Sequence, residues 1–402
     1  MKDPAHFHPS DLRGVGRLAI DATLGITDLV EALHHNIASV SPPLGKSRPG
    51  RTKGITGFVY GAVRGVTGLV GSSMDAVLAR LVPKLSRKPS SRERDAVLAA
   101  LNGVLGDYLA RTGNPLAITM SLRHGAMPLD IERAALARAI PAATPRIVVL
   151  VHGLCLGDRQ WTRRGHDHGA FLAREAGFTP VYLHYNTGLH ISTNGRALAE
   201  LLEGLLREWP VPVAEMAIVA HSMGGLVTRS ACHHASAAGL AWQAKLAAIF
   251  FLGTPHCGAP LERGGNWVDL LLDASPYTAP FARLGRIRSA GITDLRHGAL
   301  RDEDWEGHDR FARRAAPQSA LPLPAGVRCY ALAATTGGHS GRRAAGDGLV
   351  PLASALGRHR ERSRDLGIPL ARQWVGMRMN HLDLLASRAA GERMRSWLEE
   401  ER

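Results

Sequence analysis

From residue 116 onward the chain alternates two patterns, and that alternation confines it to one architectural class. Short apolar runs at 147–151, 180–185, 216–220, 246–252, 327–332 and 373–377 have the length and composition of strands buried on both faces. Amphipathic helical stretches, such as 194–207 and 224–237, lie between several of them. Strands that alternate with helices make a mostly parallel sheet covered on both sides, because each crossover lays a helix on the face it crosses. Leu116, Ile118, Met120 and Leu122 alternate with smaller or polar neighbours, the pattern of an edge strand. The interval 258–325 breaks the rhythm with amphipathic segments around Trp267 and Phe281, and is expected to be an insertion above the sheet, in the position of a lid. A chain of 402 residues leaves room for something besides the sheet. The expected division is an N-terminal helical region, 1–113, and an α/β domain, 114–402.

Before residue 114 every pattern is helical. Apolar residues recur at helical spacing over 18–37 and again over 55–81, with a connector at 41–53 rich in Pro, Gly and basic residues. A third helix is expected after Pro89, where Ser90 and Glu93 have capping-box spacing, and Gly113-Asn114-Pro115 stops it. The middle helix carries Gly57, Gly61, Gly65 and Gly68. Each helical glycine costs up to about 1 kcal/mol relative to alanine, so the stripe predicts a close approach. Tight packing within a helical hairpin is the first expectation, and insertion into a lipid interface the second.

Asp21, Asp28, Arg64 and Asp75 interrupt every apolar run that approaches the length of a bilayer span. The first ten residues lack a basic stretch followed by an apolar core. A cytoplasmic protein is therefore expected, with peripheral membrane contact left open through the N-terminal helices. Cys155, Cys232, Cys257 and Cys329 are too scattered for a disulfide framework. The formal charge of +14 would suit an anionic partner. Its arginines are spread along the whole chain without an aromatic-interleaved stripe, so nucleic acid is not an expected partner.

The most specific motif is Ala220-His221-Ser222-Met223-Gly224-Gly225. An apolar strand runs into it and a helix runs out, and a serine at such a turn is held strained with its oxygen exposed. Small residues two before and two after allow the chain to double back. A serine hydroxyl needs a base to remove its proton, and sheets with this turn supply acid and histidine later, in the order serine, acid, histidine. His381, just past the last predicted strand, is the candidate base. His339 precedes the candidate acid, and His359 sits in an arginine-rich stretch. Asp347, between Gly346 and Gly348 after the strand at 327–332, is the candidate acid; Asp294, Asp302, Asp304 and Asp383 are its rivals. Two backbone amides are expected to hold an oxyanion: Met223, directly after the serine, and Leu154, in His152-Gly153-Leu154 after the strand at 147–151. Cys155, one residue on, is the alternative to Leu154. His166-Asp167-His168 looks like half a metal site, but no third ligand is placed by the sequence, so a polar loop is expected and no metal or cofactor.

Val151-His152-Gly153-Leu154, the elbow at 220–225, Gly253-Thr254-Pro255-His256 and Gly346-Asp347-Gly348-Leu349-Val350-Pro351 together resemble the bacterial lipase group of α/β-hydrolases. Gly253 to His256 followed by Gly258 is also similar to the GPI inositol-deacylase-like serine esterases. The resemblance covers residue 116 to the end of the chain and says nothing of the helices before it. It implies an α/β-hydrolase fold and hydrolysis of carboxylic esters of a lipid-like kind, without an organic cofactor. Calcium binds in some relatives; no such site is matched in this sequence. Two rival readings are a membrane- or particle-associated binding protein with a vestigial hydrolase domain, and an acyltransferase using the same three residues.

Overall fold

The computed structural model describes residues 8–39, 54–81, 90–258, 289–307, 321–338 and 346–400. The segments around Trp267 and Phe281, expected in the lid, and His339 lie outside the described residues. The chain divides into two compact units, Met1–Ser91 with Arg111–Ala117, and Arg92–Ala110 with Ile118–Arg402.

In the first unit α1 (Pro9–Ser39) and α2 (Gly54–Leu81) form a helical hairpin. Arg13 and Arg17 near the start of α1 pair with Asp75 near the end of α2, while Arg64 reaches back to Asp28 and Glu31. That order of partners makes the helices antiparallel. The hydrogen bond from Arg13, with Arg17 beside it, holds the Asp75 carboxyl down to about 2. Among the described residues the packing expected of the glycine stripe is not made at Gly61, Gly65 or Gly68, where an added Cβ would meet nothing within 4 Å. Around the stripe α2 instead exposes Phe58, Val59, Val66, Leu69 and Val70, each more than half exposed.

The second unit begins with α3 (Arg92–Arg111), which the sequence division placed before residue 114. Close packing through glycine occurs on this helix. A Cβ on Gly103 would stand 2.2 Å from Cys155 Sγ, and one on Gly106 would stand 1.8 Å from Asn186 Oδ1. The helix therefore braces the loops that leave two of the sheet strands.

Among the described residues the sheet has eight strands, in the order β2-β1-β4-β3-β5-β6-β7-β8. They are β1 (Ser121–His124), β2 (Met127–Pro128), β3 (Arg146–Val151), β4 (Thr179–His184), β5 (Glu215–His221), β6 (Leu246–Leu252), β7 (Arg328–Thr335) and β8 (Gln373–Met377). From β4 to β8 every pairing is parallel, and only β1 runs antiparallel to its neighbours. The edge strand expected over 116–122 is shorter, later and not at the edge: β1 starts at Ser121 and lies between β2 and β4. The alternation before it is taken up by a turn in which Asn114 Oδ1 accepts from the Leu116 amide.

Period-2 alternation fills two cores at once. Ile147, Val149, Val151, Ile218, Ala220, Ile249 and Phe251 face one side. There they meet α4 (Arg133–Ala139), α6 (Ile191–Glu208) and α7 (Met223–Ala238) through Leu136, Leu198, Leu202, Leu226 and Val227. Val148, Leu150, Ala217, Val219, Phe250 and Leu252 face the other, against α5 (His168–Ala176) and the C-terminal helix Arg388–Glu399 through Leu172, Met394 and Trp397. Burying a single side chain of this size contributes about 1.5–3 kcal/mol, so a central strand shifted by one residue would forfeit both faces. A parallel, doubly covered sheet with this strand order and a serine turn closing its fifth strand is an α/β-hydrolase fold. Strand order reverses about β3: β4 lies on one side and β5 on the other. Ligands in open α/β sheets bind at the carboxyl ends of the strands beside such a reversal, and the loops after β3 and β5 are there.

Candidate active site

Ser222 joins β5 to α7 at φ 54° and ψ −126°, a left-handed backbone that is costly for a residue with a Cβ. Its amide donates to the Leu252 carbonyl at 2.8 Å, which ties the turn to the end of β6. Its hydroxyl makes no capping bond to α7, so the serine does not serve as a helix cap. The two glycines that follow are demanded by proximity. A Cβ at residue 224 would lie 2.3 Å from the Val151 carbonyl oxygen, and one at residue 225 would lie 2.1 Å from Thr254 Oγ1. Ala220 lies within the sheet between Val151 and Phe251, where a methyl group belongs to the core.

His381 opens a short helical turn, His381–Ala386, held by a reciprocal cap. Asn380 Oδ1 accepts from the Leu382 and Asp383 amides, and Asp383 Oδ2 accepts from the Asn380 amide. The imidazole Nδ1 is 2.7 Å from Asp347 Oδ2, and the His381 amide donates to the Asp347 carbonyl at 3.1 Å. A carboxylate only accepts, so Nδ1 carries the proton and Nε2 of the neutral ring has a free lone pair. Asp347 Oδ1 accepts from the Leu349 and Val350 amides at 3.0 and 2.8 Å. Both side chains are buried. The loop needs its flanking glycines: φ is 93° at Gly346 and 96° at Gly348, and a Cβ on Gly346 would strike the Val350 carbonyl oxygen at 2.1 Å.

The structure thus brings Asp347 and His381 together and gives each rival acid other work. Asp294 accepts from His190 Nδ1 and the Ile191 amide, and Asp302 pairs with Arg196. Asp304 accepts from the Leu300 and Arg301 amides, and Asp383 from Asn380 and Arg164. His359 lies in a surface turn, where its Nδ1 accepts from the Glu361 amide. Among the described residues no hydrogen bond joins Ser222 Oγ to His381. The two are linked through neighbours. His221 Nε2 donates to the His381 carbonyl at 3.2 Å, with ring centroids 4.7 Å apart. Gly253, the residue after β6, lies against the base, where a Cβ would stand 3.1 Å from His381 Cε1.

The loop after β3 lies against the serine. A Cβ on Gly153 would stand 2.8 Å from Ser222 Cβ. The Cys155 amide donates to Thr187 Oγ1 at 3.2 Å and is spoken for. Among the described residues the amides of Leu154 and Met223 have no acceptor, which leaves both available to an oxyanion. His152 is buried and stacked on Tyr185, whose hydroxyl donates to the His152 carbonyl at 2.8 Å. Burial pushes the His152 imidazole down to about 3, so this neighbour of the site stays neutral.

Histidines 166 and 168 are not the polar loop the sequence suggested. Both are buried: His166 Nε2 meets His168 Nδ1 at 3.0 Å, and His168 Nε2 donates to the Leu384 carbonyl at 2.8 Å. They connect the start of α5 to the turn that carries His381. Burial lowers the His168 imidazole to about 4. Asp167 between them caps α5 by accepting from the Ala170 amide. The signal in the sequence was the cap itself, an Asp ahead of apolar Phe171 and Leu172, which fixes that its flanking histidines start a packed helix. Among the described residues no group of three or more His, Cys, Asp or Glu side chains is arranged to hold a metal ion.

A sequence profile described as a domain of unknown function (DUF7379) matches residues 127–293. A search of curated proteins returned no match. Solved structures similar to this one include a mature lipase of Bacillus licheniformis, with 17% identity over 66% of this chain and 92% of the other and a TM-score of 0.39. An esterase of Pyrococcus furiosus is 12% identical over 64% of this chain and 82% of its own, with a TM-score of 0.39. A lipase-esterase related protein of Clostridium acetobutylicum is 9% identical over 64% and 95%, with a TM-score of 0.34.

Proposed function

We propose that the chain is a serine esterase that cleaves carboxylic esters through an acyl-enzyme on Ser222. The observation that carries this reading is the buried Asp347–His381 hydrogen bond, 2.7 Å long, beside a serine held at positive φ. In the proposed cycle His381 Nε2 takes the Ser222 proton as Oγ attacks the ester carbonyl. The amides of Leu154 and Met223 hold the oxyanion, and Asp347 stabilises the imidazolium. His381 then gives its proton to the leaving alkoxide, which departs as the alcohol. A water molecule loses its proton to the same nitrogen and attacks the acyl-enzyme; as the acid leaves, that nitrogen returns the proton to Ser222 Oγ.

The substrate class we propose is lipid-like. Support comes from the first unit, where α2 exposes Phe58, Val66, Leu69 and neighbouring apolar residues around Gly61, Gly65 and Gly68. Such a face suits a lipid interface, with the +14 charge of the chain adding attraction to anionic headgroups. Among the described residues no helix is long and apolar enough to cross a membrane.

The direct test is labelling with a fluorophosphonate followed by a panel of esters of graded chain length. Wild-type protein should label on Ser222 and turn over esters, whereas Ser222→Ala should do neither while keeping its thermal transition. Full labelling of Ser222→Ala would assign the nucleophile elsewhere.

A further inference from the structure

The second unit holds a cleft, open to solvent on one side, that the acyl-transfer cycle does not use; Arg229, Arg301, Arg364 and His256 are among its lining residues. Arg229 is on α7, seven residues after Ser222, and is 1% exposed. Its Nη2 donates to the Leu321 carbonyl, and its Nη1 is 3.4 Å from His256 Nδ1. Its Nε is buried and has no acceptor among the described residues. Burial pushes the guanidinium down to about 10, so it still carries its charge at neutral pH, and no carboxylate faces it among the described residues.

The tautomer of His256 follows from that contact. A guanidinium can only donate, so Nδ1 of His256 accepts and the ring proton is on Nε2. Burial, and then the charge of Arg229, hold this imidazole well below its ordinary value, so the ring is neutral. His256 is 6% exposed, and among the described residues its Nε2 has no acceptor either. Arg301 supplies a third unmatched donor, Nε, while its Nη2 bonds Asp304 at 2.9 Å. Asp304 is the one carboxylate lining the cleft, and its oxygens already accept from Arg301 and from the Leu300 and Arg301 amides. The lining thus holds three guanidinium groups and one carboxylate, with Glu303 also acting on Arg301, and Arg364 is half-buried.

Buried donors without acceptors are rare, and a buried charge without a partner is costly. Together these donors suit an anionic ligand as their acceptor. A carboxylate would bring one charge and two oxygens for three unmatched N–H groups. A phosphoryl group brings close to two charges and three oxygens. We propose that this cleft binds a phosphoryl group, with Arg229, His256 and Arg301 as donors and Arg364 closing the charge balance. Two sources share that chemistry, a free phosphate compound and the headgroup of a phosphatidate-type lipid.

The test reads binding rather than turnover, so its outcome is separate from that of the esterase reading. Full-length protein would be melted in sodium phosphate and in sodium chloride at matched ionic strength, and its phosphate affinity measured by equilibrium dialysis. Flotation with phosphatidate vesicles, compared between wild type and Arg364→Gln, gives the lipid arm. For a free phosphate compound, phosphate raises the melting temperature saturably, by roughly 5 °C at a hundredfold excess over Kd, and chloride does not. Arg364→Gln weakens dialysis binding about tenfold, and Arg229→Met abolishes it. For a lipid headgroup, free phosphate is ineffective but wild type floats with phosphatidate far better than Arg364→Gln. Because Arg229→Met removes a buried residue, Arg364→Gln decides the matter if that protein does not fold. The proposal is overturned if neither free phosphate nor phosphatidate discriminates wild type from Arg364→Gln, or if acetate binds as well as phosphate.

Discussion

Asp347→Asn exchanges one oxygen for an NH2 group in a side chain whose two oxygens are both occupied. Oδ1 accepts from the Leu349 and Val350 amides and Oδ2 from His381 Nδ1. The asparagine therefore has two placements. If its NH2 faced Leu349 and Val350, two buried N–H groups would lose their acceptor, at about 1–3 kcal/mol each. The other placement keeps both of those bonds and turns the NH2 group toward His381. It costs only the single bond to the imidazole, so it is the one adopted. Nδ1 must then accept, the ring proton moves to Nε2, and the lone pair that would deprotonate Ser222 is gone. In serine proteases neutralising the corresponding aspartate lowers kcat by about 10⁴ through this tautomer change, or about 5 kcal/mol at about 1.4 kcal/mol per factor of ten. The same order of loss is expected here, with a thermal transition within a few degrees of wild type because the loop keeps its hydrogen bonds. Initial rates on a soluble nitrophenyl ester, normalised to labelled active sites, measure it. A loss below tenfold would refute the reasoning, and so would an equal loss in Asp302→Asn, Asp304→Asn or Asp383→Asn.

Gly153→Ala should lower kcat roughly 10²-fold with little change in KM, since the new methyl would stand 2.8 Å from Ser222 Cβ and must push the Leu154 amide out of line; an unchanged kcat in steady-state assays would remove Leu154 as an oxyanion donor. Acid should destabilise the fold. His168, held near 4 when folded, takes up its proton in the unfolded chain already near 6.5. Its neutral burial is therefore fully tolerated above about pH 6.5 and penalised progressively as pH falls toward about 4, by an amount on the order of 3 kcal/mol. Urea midpoints between pH 7 and 4.5 should fall less steeply in His168→Gln than in wild type, and parallel curves would contradict the assignment. Leu69→Glu with Val66→Glu should reduce co-flotation with anionic vesicles and leave hydrolysis of small soluble esters intact; wild-type protein that stays unbound at low salt would remove the lipid-surface role of α2.

What the sequence made legible were features fixed by near neighbours in the chain. β6 and β8 occupy the residues read from their apolar runs, because a short β-rich run between turn residues has no other regular structure to adopt. The elbow was legible for the same reason, since strand, turn and glycines are consecutive. What escaped depended on a partner far along the chain. Gly103 and Gly106 on α3 and Gly61, Gly65 and Gly68 on α2 have similar spacing, yet the first pair meets Cys155 and Asn186 while the second set meets nothing among the described residues. Spacing fixes that glycines share a face but not what covers that face. The same limit hid His168, whose acceptor is the Leu384 carbonyl. Arg229 is the extreme case. In Thr228-Arg229-Ser230 it reads as one more solvated arginine in a chain of charge +14, and only the fold turns it inward beside His256 with donors left over. A buried charge is expensive enough that it must be balanced by something. Among the described residues no carboxylate does so, and the phosphoryl site proposed for its cleft rests on that placement, which the structure shows and the sequence does not.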